Sequence, residues 1–186
     1  MTDRLYLTGD DDADRLLASE PMALLIGFAL DQQVPVQKAF SGPKVLRDRL
    51  GSIDATHLAT VDDAALEAAA KGPPAIHRFP SAMAKRVREL AIYVRDTYDG
   101  DAARLWTDAS DARDLKKRIA PLPGFGAMKV ASMYAVLVRQ MGVDLPGAAD
   151  ELPSHPTLGD VDSAQALADY QAQKRAHKAE LRARQE

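Results

Sequence analysis

The 186-residue chain contains no cysteine. That absence excludes disulfide staples, thiolate ligation of an iron–sulfur cluster and a cysteine nucleophile. Aromatic residues are scarce, at 5%, and alanine and leucine are abundant instead, a balance that favours helix over sheet. No uninterrupted apolar run has the length of a membrane span. The opening stretch MTDRLYLTGDDDADR is acidic and lacks the basic-then-apolar layout of a secretory signal. A soluble cytoplasmic protein is the expectation. His57, His77, His155 and His177 show no metal-ligand spacing. The phosphate loop of NTPases, a nucleophile elbow and a cofactor fingerprint are also missing, so neither metal nor cofactor is expected.

What is present supports a packed core. Hydrophobic residues make up 46% and charged residues 27%, which argues against wholesale disorder and suits one helical domain spanning residues 1–186. The net charge of −3 counts against a uniformly basic, nucleic-acid-binding surface. It leaves room for a local basic face.

Punctuation along the chain predicts helices throughout. TGDDDADRLLAS reads as a capped short helix, and Pro21 opens the buried run MALLIGFALDQQ. A helix over Val36–Leu50 follows Pro35 and closes at Gly51. Residues 54–71 give one or two short helices, with Asp62 or Asp63 as a cap. SAMAKRVRELAIYVRDTY is amphipathic, with Met83, Val87, Leu90, Ile92 and Val94 near helical spacing, and Asp99 and Gly100 end it. SDARDLKKRIAP leads into LPGFGAMKV, and a helix runs from Gly126 to Gly142. A loop rich in Pro, Gly and Asp precedes a last polar helix over about 162–184, with a fraying end.

The stretch LPGFGAMKV, residues 122–130, joins two of these helices. Its glycines allow two helices to meet closely, or leave peptide N–H groups bare at a helix N-terminus, where the dipole favours an anion. Lys129 adds positive charge, and Lys116, Lys117 and Arg118 lie on the incoming helix.

LKKRIAPLPGFGAMKVASMYAVLV resembles the helix-hairpin-helix of base-excision DNA glycosylases. The branch in question is named for that hairpin with a Gly/Pro-rich loop and an aspartate (HhH-GPD), and includes endonuclease III and the 3-methyladenine glycosylases. ALLIGFALDQQVPVQKAF resembles the family's early helix pair with Gln at the turn, and FPSAMAKRVRELAIYV is similar to its mid-domain helix. DTYDGD stands where the family has a polar Gly turn, and the order matches over residues 20–142. The resemblance implies an all-α fold of two helical lobes, with a DNA-binding cleft between them. It implies a monomer that binds double-stranded DNA carrying a damaged or mispaired base and flips that base into the cleft. It also implies DNA contacts from Gly124, Phe125, Gly126 and Lys129, and from Gln32 or Gln33, which fill the vacated space.

The chemistry departs from the family pattern. Family lyases carry a lysine two residues after the second hairpin glycine, where this chain has Met128; Lys129 is one place along, about 100° around a helix. A monofunctional N-glycosylase is therefore expected. Such an enzyme needs a carboxylate to stabilise an oxocarbenium-like sugar and to activate water. No acid occupies the expected place near Pro146 to Ala148. Asp150 is the first candidate, with Asp162 and Asp144 as alternatives; each also reads as a turn former or helix cap. Two other readings stay open: a non-catalytic DNA-binding relative without the family aspartate, and a helical interaction protein whose LPGFG only packs helices.

Overall fold

Helices begin where a short polar side chain reaches an amide three residues on. In the computed structural model, which describes residues 2–184, Asp10 accepts from Ala13 at the start of α1 (Asp11–Ser19). Asp54 and Asp62 do the same for α4 (Ala55–Thr60) and α5 (Asp63–Lys71). Asp111 does so for α8 (Ala112–Ile119), and Ser163 for α10 (Ala164–Ala183). Each such cap satisfies an amide the helix itself leaves free. Ser163, not Asp162, thus caps the last helix. The remaining helices are α2 (Pro21–Leu30), α3 (Val36–Leu50), α6 (Pro80–Tyr98), α7 (Arg104–Thr107) and α9 (Ala127–Arg139). A 3₁₀ turn spans Leu158–Asp160. The fold is all-α: the described residues contain no strand, and no helix among them is long and apolar enough to cross a membrane.

α2 is apolar on every face, so every face must be covered. Its residues 22–30 are all buried. α3 lies against it so closely that a Cβ on Gly27 would sit 2.4 Å from Phe40 Cδ1, and Phe28 meets Phe40 edge-on at 5.1 Å. α6 turns Met83, Val87, Leu90 and Val94 inward. Ile92, grouped with them by sequence, faces solvent, because two residues past Leu90 is about 200° around the helix.

The 3₁₀ turn and α8 pack on α9. Gly159 of the 3₁₀ turn sits where an added Cβ would lie 2.6 Å from the Ala135 backbone carbon. Thr157 and Asp160 form a capping box around that turn, and Arg139 pairs with Asp160. α10 buries only Leu167. Its amide Gln171 exchanges two hydrogen bonds with Gln37 of α3, at 3.2 and 2.7 Å, which ties the last helix to the first half of the fold.

Candidate nucleic-acid interface

The two hairpin glycines have different physical reasons. Gly124 has φ +86°, a left-handed conformation that costs an L-residue about 1–2 kcal/mol. A Cβ there would also approach Arg86 Nη1 at 2.3 Å, but a guanidinium can swing aside, so the backbone governs. Gly126 has φ −98° and nothing within 4 Å of a hypothetical Cβ. Neither conformation nor packing requires glycine at 126. Its effect is to leave the backbone bare where α9 begins, and no side chain caps that end.

An open groove of about 500 Å³ runs past this end, lined by Lys116, Lys117, Phe125, Gly126 and Val130 among others. Lys116 is already engaged: its ammonium donates to Glu151 Oε2 at 2.9 Å and to the Glu151 carbonyl at 2.6 Å. Arg118 pairs with Asp114 at 2.9 Å. Lys117 is exposed and forms no ion pair among the described residues. Phe125 is half-buried, its ring 6.2 Å from that of Phe28, and so anchors the hairpin to α2. Lys129 turns inward from the groove: Nζ donates to the Ala29 carbonyl at 3.4 Å and lies 6.0 Å from the centre of the Phe125 ring. Burial pushes its pKa down, against the opposing pull of Asp31.

Gln32 and Gln33 are both exposed, on a turn held from below. The Asp31 amide closes α2 onto Gly27 and Phe28, and Gln33 has φ +57°. His77, 2% exposed, supports the turn: Nε2 lies 2.7 Å from the Gln32 carbonyl, and Nδ1 accepts from the Phe79 amide at 3.0 Å. Both bonds form together only in the neutral ring with its proton on Nε2.

The three sequence-predicted aspartates do not converge on the hairpin. Asp150 is exposed in a shallow depression with Asp111, Arg113 and Glu151. Asp144 and Asp162 are exposed as well. None of the three lines the groove or the pocket beside Met128. That pocket, about 590 Å³, lies between the first turn of α9 and α10, and is walled by Met128, Pro156 and Tyr170, with His155, Lys174 and His177 at its edges. An acid that the sequence did not single out, Asp31, also lines neither groove nor pocket, but differs from the three in its surroundings. Asp31 is half-buried, its carboxylate makes no hydrogen bond or ion pair among the described residues, and the charges of Lys174 and Lys129 act on it. Burial pushes its pKa up; the two lysines pull it down.

Asp31 did carry one sequence signal, as the charge that ends an apolar run just before the glutamine pair. Tyr170 carried none, because its place in the pocket wall comes from a helix distant in sequence from Met128. No group of His, Asp or Glu able to hold a metal occurs among the described residues. Comparison of the chain with protein-family models, curated proteins and solved structures finds no match.

Proposed function

We propose that the protein binds double-stranded DNA through the α8–α9 hairpin and hydrolyses the N-glycosidic bond of a damaged or mispaired base flipped out of the duplex. The observation that carries this reading is the uncapped start of α9 at Gly126, open to solvent beside the unpaired Lys117. Free amides at a helix N-terminus are a site for a phosphate oxygen. Lys129, turned inward, adds only its longer-range charge.

The pocket beside Met128 supports the second half of the proposal. It adjoins the same helical turn, and an apolar wall with an aromatic ring and polar groups at its edge suits a planar base. In the two-lobed arrangement implied by the resemblance, it would open toward the duplex. Gln32 and Gln33, exposed on a pinned turn, would occupy the gap in the base stack. With Met128 in place of the lyase lysine, base release leaves an intact abasic strand.

The test is duplex binding and base release by wild type and Gly126→Glu, with duplexes carrying uracil, alkylated purines, oxidised bases and mismatches. Wild type is expected to bind in a salt-sensitive way and to yield strand breaks only after hot alkali. Gly126→Glu is expected to bind weakly while remaining folded. Equal binding by both proteins would remove the hairpin from the mechanism, and alkali-independent cleavage trapped by borohydride would overturn the monofunctional assignment. The exposure of Asp144, Asp150 and Asp162 favours one competing reading, a non-catalytic DNA-binding protein. Salt-sensitive duplex binding without base release from any of these duplexes would establish it.

A further inference from the structure

We infer that Asp31, rather than an aspartate after the hairpin, supplies the carboxylate that faces the sugar of the flipped nucleotide. The inference rests on the DNA-binding reading and adds a residue to it. Three observations support this assignment. It immediately precedes Gln32 and Gln33 on the turn pinned by His77, so its backbone is fixed next to the proposed wedge. Its carboxylate is half-buried yet has no hydrogen-bond or ion-pair partner among the described residues, unlike Asp14, which accepts from the Leu7 and Thr8 amides. It also lies within electrostatic reach of Lys129 on α9 and Lys174 on α10, residues beside and within the pocket wall. A carboxylate with a purely structural role is ordinarily paired when it is withdrawn from water.

In the step assigned to it, the bond from sugar C1′ to the base nitrogen breaks and its electron pair leaves with the base. Positive charge develops on the sugar, opposite the Asp31 carboxylate. A water oxygen bonds to C1′; the proton that this water gives up passes to Asp31 and then to solvent, while the departing base takes one proton from solvent. One water is consumed and no other reactant is needed.

The experiment compares binding of two duplexes, one with a neutral tetrahydrofuran abasic analogue and one with a cationic pyrrolidine analogue that carries the charge of the developing sugar cation. Wild type is expected to prefer the cationic analogue about tenfold, the scale of one charge-assisted contact. Asp31→Asn, which keeps the side-chain shape, is expected to bind both equally, with tetrahydrofuran affinity unchanged. Asp31→Glu is expected to restore part of the preference. The inference is overturned if Asp31→Asn keeps the preference, or if Asp150→Asn, Asp162→Asn or Asp144→Asn removes it instead. Wild type that binds both duplexes equally, through a hairpin still sensitive to Gly126→Glu, overturns Asp31 while the hairpin stands. Failure of wild type to bind either duplex sinks both.

Discussion

At the scale of single residues, Gly124 and Gly126 separate stability from binding. Gly124→Ala forces an L-residue to φ +86° and is expected to cost about 1–2 kcal/mol, read as a drop in melting temperature. Gly126→Ala meets open space at an ordinary φ. It is expected to shift stability by less than about 0.5 kcal/mol, yet to weaken duplex binding by covering the bare backbone. The reverse ranking in a melting experiment would refute this account of the turn. Asp31 gives a pH signature. Its carboxyl is raised by burial, so the folded state holds the proton more tightly than the unfolded chain does. The stability penalty is full above the raised pKa, fades as pH falls through it, and is gone below the ordinary aspartate value. Asp31→Asn is therefore expected to melt higher than wild type at neutral pH, with the difference vanishing in acid. A residue that lowers the stability of its own fold is what a functional carboxylate looks like.

At the scale of elements, the glutamine turn depends on a residue 45 positions away. His77→Ala removes the donor to the Gln32 carbonyl and the acceptor for the Phe79 amide. The expected cost is about 1–3 kcal/mol for the groups left unpaired. Any preference for mismatched or abasic duplex over intact duplex should fall with it, as in Gln32→Ala with Gln33→Ala. A variant that loses stability but keeps the full preference would show that the pin does not set the wedge. The 3₁₀ turn on α9 is equally specific. Gly159→Ala would press a methyl into the Ala135 backbone, and a loss of roughly 1–3 kcal/mol is expected from overpacking, measurable by urea titration.

At the scale of the whole molecule, the net charge of −3 conceals how the cations are committed. Lys116 serves Glu151 and Arg118 serves Asp114, leaving Lys117 as the unpaired cation of the groove among the described residues. Neutralising it is expected to lower the slope of log affinity against log salt by about 1. Lys116→Ala is expected to change that slope less, since its charge is already balanced. Equal slopes for both variants would place the phosphate contacts elsewhere.

The helices were legible because their signals are local. Capping aspartates, helix-closing Gly51 and the 3.6-residue periodicity of α6 act within one or two turns, so α1 to α3, α6, α8, α9 and α10 could be placed from the chain alone, while residues 54–71 read only as one or two helices and resolve into α4 and α5. α7 has no capping side chain to announce it, and the 3₁₀ turn at Leu158–Asp160, although Thr157 and Asp160 box it locally, lies within the Pro/Gly-rich stretch that read as a loop. The hairpin glycines were also visible, but not that one is demanded by φ and the other by nothing inside the protein. Only the tertiary structure decided which acid is withdrawn from water without a partner among the described residues. A side chain's neighbours across space, and hence its burial and charge, are set by the packing of distant helices: α2, α9 and α10 together give Asp31 its surroundings, while Asp150 stays in solvent.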